Sequence, residues 1–134
     1  MVKYDHLSVL KKKALEGDIL AQFDLAETYD MGRPRKLKQA FYWYKIAAER
    51  GYHHALNNLA FLYEHGRGVQ KNRKAALKYY TKAANKGNVI AMANLGVLMH
   101  EDRKFRRARM YFEQAVASGD DASKLYIKLY AKNT

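Results

Sequence analysis

Small, apolar and aromatic residues recur along this chain at steps of three and four, which gathers them on one face of a helix. The pattern predicts helix after helix. An A-type series falls near 18–31, 52–65 and 88–101, and a B-type series near 37–50, 72–86 and 104–118. The segment 4–16 carries the B pattern weakly, through Val9, Leu10 and Ala14, and the tail 120–133 carries the A pattern, with Ile127 in its leucine position. Both ends read as capping half-units covering an open core.

The helices repeat as pairs. Gly17, Gly51, Gly87 and Gly119 superpose with spacings of 34, 36 and 32 residues. The fourth residue after the first three glycines is Ala21, Ala55 and Ala91, and the eighth is Leu25, Leu59 and Leu95. Before the last three stand Ala40, Ala76 and Ala108, followed by the pairs Trp43-Tyr44, Tyr79-Tyr80 and Tyr111-Phe112. A period of this length signals a solenoid of short units. The alanines let helix backbones approach, the aromatics fill the gaps, and glycine ends each B helix because it enters the left-handed conformation without steric cost. Asp18, Asn88 and Asp120 follow those glycines as expected N-caps. The predicted fold class is therefore an all-α superhelical solenoid of about eight antiparallel helices. It forms a single domain over 1–134, with repeats near 17–50, 51–86 and 87–118 between the caps.

The second unit runs from Ala55-Leu56-Asn57-Asn58-Leu59-Ala60 through Tyr63-Glu64-His65-Gly66-Arg67-Gly68-Val69 to Tyr79-Tyr80-Thr81-Lys82-Ala83-Ala84-Asn85-Lys86-Gly87. It closely resembles the Sel-one-like repeat family, relatives of the tetratricopeptide repeats whose A-to-B loop carries Gly-x-Gly-Val. The resemblance spans roughly 17–119. Unit one departs from it with Gly32-Arg33-Pro34 and unit three with His100-Glu101-Asp102-Arg103, so those loops should turn differently. The resemblance implies A helices lining a concave surface, B helices forming a convex one, and a scaffold for protein partners rather than a catalyst.

Composition sharpens the picture. Cysteine is absent, which removes disulfides, thiolate zinc sites and thiol nucleophiles together. No run approaches the roughly 18 apolar residues of a membrane helix, and the first six residues hold no apolar leader, so a cytoplasmic location and no membrane insertion are expected. The net charge of +12 is segregated. Residues 14–32, 51–66 and 87–102 contain no Lys or Arg and eight carboxylates, whereas 33–50, 67–86 and 103–119 hold eighteen basic residues and only Glu49 and Glu113 as acids. The expectation is a neutral-to-acidic inner wall and a basic outer flank.

Candidate chemistry is sparse. His65 and His100 fall near the ends of A helices beside Asp30, Glu64, Glu101 and Asp102, but no paired spacing fixes a metal within one helix, so a polar groove is the reading and no metal is assigned. Ser8, Ser118 and Ser123 lie in no nucleophile motif, and Gly66-Arg67-Gly68 lacks a phosphate loop's ending, so neither catalysis nor a cofactor is assigned. The expected contact surface on the concave side is Glu27, Asp30, Asn57, Phe61, Glu64, His65, Val97, His100 and Glu101, with Phe61 as an aromatic anchor. A second is a basic ridge of Lys38, Lys74, Lys78, Lys82, Lys86 and Arg106, in which four lysines recur at i, i+4.

The reading is a non-catalytic module for protein–protein interaction, its partner an acidic protein if the ridge is used. One alternative is an inhibitor or immunity-type protein that neutralises an effector. The rival from another class is non-specific nucleic-acid binding through the basic face. The pattern fixes no oligomeric state.

Overall fold

The computed structural model describes residues 6–131. Eight helices occupy them: α1 (His6–Leu15), α2 (Ile19–Met31), α3 (Leu37–Glu49), α4 (His53–His65), α5 (Arg73–Asn85), α6 (Val89–Glu101), α7 (Phe105–Ala117) and α8 (Ser123–Ala131). No strand occurs among the described residues. Helices α2 to α7 each fall within one residue of their expected bounds at both ends. The expected positions 4–5 and 132–133 of the caps lie outside the described residues.

Each helix packs against its neighbours in sequence, so the core is a chain of local layers rather than one central mass. The repeat columns supply it. Ala26, Ala40, Ala47, Ala55, Ala60, Ala76, Ala83 and Ala91 are fully buried, and Tyr44, Tyr80 and Phe112 fill the spaces that these small residues leave. Gly96 takes the small position in α6, because a Cβ there would stand 2.6 Å from the Phe112 ring. Phe112 in turn stacks on Tyr126 of α8, ring centroids 4.3 Å apart.

Five of the seven junctions share one hydrogen-bond pattern. At the end of α5, Gly87 N–H donates to Ala84 C=O and Asn88 N–H to Ala83 C=O, which closes the helix on a left-handed residue. The same pair of bonds recurs around Gly17, Gly51 and Gly119. It recurs once more at the end of α6, with Arg103 in the left-handed place at φ 60°. Arg103 is the one non-glycine residue with positive φ among those described.

The Gly-x-Gly loop has a steric reason. Gly66 closes α4 in the left-handed conformation. Gly68, at φ 73°, lies so close to the preceding unit that a Cβ would stand 2.2 Å from the Leu37 carbonyl oxygen. The first unit does turn differently: Gly32 is extended and the Arg33–Pro34 bond is cis. Asp18 and Asn88 accept from the N–H of Ala21 and Ala91, as N-caps do. Asp120 does not cap its helix at this point. It accepts from the Ser123 hydroxyl, and α8 starts three residues later than expected.

Candidate functional site

On helices α2, α4 and α6 the third and fourteenth residues after each glycine are exposed, as are Phe61 and Leu129 at the tenth place, where Glu27 and Val97 are half-buried. Six of the eleven exposed large apolar side chains among the described residues lie on these helices: Leu20, Met31, Phe61, Ile90, Leu125 and Leu129. Those around Phe61 and Ile90 form the candidate contact face. At its centre a depression of about 260 Å³ is lined from α2 by Asp30, from α4 by Asn57, Asn58 and Phe61, and from α6 by Ile90 and Asn94.

Amides run across its floor. Asn94 donates to the Asn57 side-chain oxygen at 3.2 Å, and Asn57 donates to Asn58 at 3.4 Å. An amide carries two donors and a two-lone-pair acceptor, so these bonds leave hydrogen-bonding capacity. Phe61 stands 38% exposed beside them, its ring 4.2 Å from that of His65.

Two carboxylates of this face, Asp30 and Glu64, accept from buried tyrosines. Tyr44, buried in α3, donates its hydroxyl to Asp30 at 3.3 Å, and Tyr80, buried in α5, donates to Glu64 at 2.7 Å. Burial together with the neighbouring carboxylate pushes the Tyr80 hydroxyl far above its ordinary pKa, and burial does the same for Tyr44. In the third unit Phe112 replaces the tyrosine, and His100 replaces the acid. His100 then turns its Nδ1 to the Tyr130 hydroxyl at 2.6 Å. Asp30 and Glu64 are thus anchored to the B helices beneath them. Sequence reasoning missed this pairing, although the acid and tyrosine columns carried the signal.

The expectation of a wall nearly bare of cations is corrected at two points. Arg67, from the loop after α4, lies over Phe61 at 5.8 Å from the ring centroid and pairs with Asp30 at 3.1 Å. Its loop folds back across the end of α4, so it leaves the basic flank that its place in the sequence suggested. Arg73 likewise pairs with Asp102 at 2.7 Å and Glu101 at 3.3 Å, closing the end of α6. Glu27 and Val97 lie outside the central depression. Glu27 borders a second one of similar size with Leu10 and Met31, and Val97 borders another between α6 and α8. Burial, Asp24 and Asp30 together raise the Glu27 pKa.

On the other side, Lys38, Lys74, Lys78, Lys82, Lys86 and Arg106 are all exposed, and none forms an ion pair among the described residues. Lys78 and Lys82 lie 5.4 and 5.7 Å from the Tyr79 ring, which partly offsets the repulsion along their row. Arg106 is drawn away from that row to the end of the solenoid, where it shares a cavity with His100 and Glu101. No group of three His, Cys, Asp or Glu that could hold a metal forms among the described residues. No helix among them is long and apolar enough to cross a membrane.

The Sel1 repeat family model matches residues 19–52, 53–88 and 89–120. A Sel1 repeat protein from Oxalobacter formigenes superposes with a TM-score of 0.76 at 31% identity, over 91% of this chain and 96% of that one. A protective antigen of uropathogenic Escherichia coli strains, displaying an SLR fold, gives 0.81 at 32% identity, over 94% of this chain and 29% of that one. Protein SHC1 of Saccharomyces cerevisiae is 36% identical over 91 residues, which are 66% of this chain and 18% of that protein. The chain spans less than a fifth of the length of the curated relatives it matches.

Proposed function

We propose that this chain, which belongs to the Sel1 repeat family, is a non-catalytic protein-binding module whose contact surface is the A-helix face centred on Phe61. Sel1-repeat proteins in general are protein-interaction modules. The observation that carries the finer reading is the depression between α2, α4 and α6, where Phe61 and Ile90 stand exposed beside the asparagines. It suits a protein segment that offers apolar side chains to Phe61 and Ile90 and main-chain amides to Asn58 and Asn94. Stacked hairpins hold this wall in place before binding, so little ordering entropy opposes association. The same binding mode serves an adaptor and an inhibitor or immunity-type protein; the two differ in whether the captured protein loses activity.

Selection from a random-peptide display library tests the reading. The selected peptides should share apolar anchors, and Phe61→Ala and Ile90→Asp should each speed their dissociation about tenfold, since one lost anchor is worth at least ~1.4 kcal/mol. Lys78→Glu with Lys82→Glu should leave dissociation unchanged. Peptides indifferent to the Phe61 and Ile90 substitutions would reject this surface.

A second reading rests on the unpaired lysine row, which favours an acidic partner or the phosphate backbone of nucleic acid. Here the double lysine reversal should slow association and raised salt should weaken binding steeply. A filter-binding assay with random duplex and single strands separates the two kinds of partner.

A further inference from the structure

Beyond that face, the C-terminal end of the solenoid holds a cavity of about 760 Å³ among α6, α7 and α8, within the size range of ligand pockets. Its floor is apolar, formed by Phe105, Leu129 and the ring of Tyr130, with Phe105 43% and Leu129 54% exposed. Its lip carries Arg103, Arg106 and Arg109. Of these, Arg109 is held by Glu113 at 2.9 Å. Arg103 and Arg106 have no carboxylate partner among the described residues. The one acid on the rim, Glu101, is taken by Arg73. The N-terminus of α7 opens beside them at Phe105 with no side-chain cap, which adds to the positive field.

Arg103 supplies an independent observation. Among the five helix ends closed by the same pair of bonds, four use glycine at the left-handed position and this one uses arginine. Glycine there would relieve backbone strain, so the backbone conformation itself does not call for an arginine. Strain held at one residue on the lip of a cavity points to a role for that residue's side chain.

We propose that this cavity binds an acidic peptide segment, with an aromatic or branched apolar side chain seated on Phe105, Leu129 and Tyr130 and flanking carboxylates paired with Arg103 and Arg106. A guanidinium takes a carboxylate through two parallel hydrogen bonds, which fixes the segment's register on the lip. The site shares no residue with the Phe61 depression and takes a negatively charged segment.

Fluorescence anisotropy with a labelled peptide of sequence Asp-Glu-Phe-Asp-Leu-Glu tests it on the full chain, against a counterpart whose acids are replaced by lysines. The acidic peptide should bind, the basic one should not, and raised salt should weaken binding. Arg103→Gly should weaken the acidic peptide about tenfold while raising the melting temperature, a pair of effects that loss of folding cannot produce. Arg106→Glu should weaken it at least as much, and Phe61→Ala should leave it unchanged. Equal binding of the two peptides, or affinity untouched by Arg103→Gly and Arg106→Glu, would overturn the proposal. So would failure of the peptide to bind while dodecanoate does, which would assign the cavity to a small anionic amphiphile.

Discussion

Replacing Gly68 with alanine isolates the contact that sets one repeat upon the next. The new methyl carbon would stand 2.2 Å from the Leu37 carbonyl oxygen and 2.5 Å from its carbon, on a residue held at φ 73°. The left-handed conformation costs an alanine about 1–2 kcal/mol. Forcing the two backbones apart adds about 1–3 kcal/mol, as overpacking does elsewhere. The expected loss is thus about 2–5 kcal/mol, where Gly87→Ala, with φ 91° but open space around it, carries only the conformational part. Both substitutions stiffen the unfolded chain alike, so that contribution cancels in the comparison. For a chain of this size each kcal/mol moves the midpoint by about 3–4 °C. Thermal unfolding followed by circular dichroism should show a drop of about 6–20 °C for Gly68→Ala and about 3–8 °C for Gly87→Ala. Equal drops would refute the close approach of the Gly-x-Gly loop to α3, and with it the explanation of that motif.

Other substitutions test neighbouring parts of the account. Gly96→Ala should cost about 1–3 kcal/mol in urea unfolding, because the fully buried Phe112 ring has no room to yield. Tyr80→Phe should cost about 1 kcal/mol by removing the donor to Glu64, with the helical spectrum unchanged. Lys78→Glu should stabilise the chain by about 0.5 kcal/mol at low salt, since it converts repulsions with Lys74 and Lys82 into attractions, and the gain should fade as salt is added. Glu27 has a folded-state pKa above its unfolded value, so the folded chain holds more protons between the two and gains stability from this group as pH falls through that window. Glu27→Gln should therefore stabilise the chain near neutral pH and lose that advantage on acidification; a constant difference across pH would contradict the assignment.

The helices were legible because their signal is local. Steps of three and four residues mark each buried face, and the glycines that close α1, α3, α5 and α7 mark the ends. The family resemblance rested on the second unit, and there the Gly66–Gly68 loop has the geometry that its glycines require. The site was less legible because it depends on where neighbouring helices meet. Asp30 and Tyr44 lie 14 residues apart and Glu64 and Tyr80 lie 16 apart, and only the stacking of A upon B shows that each acid is occupied. Charge counted in blocks along the chain placed Arg67 and Arg73 on the outer flank. Their long side chains instead reach back to acids on or just beyond the A helices. The terminal cavity draws His100, Arg106 and Leu129 from three different helices, a conjunction that no single periodic pattern contains.

The central claim is that partners are read by the A-helix face. A backbone amide NMR titration with a display-selected peptide measures this most directly. Shifts concentrated at Asn57, Asn58, Phe61, Ile90 and Asn94 are the predicted result. Shifts confined to α5, from Lys74 to Asn85, with the Phe61 neighbourhood silent, would contradict it.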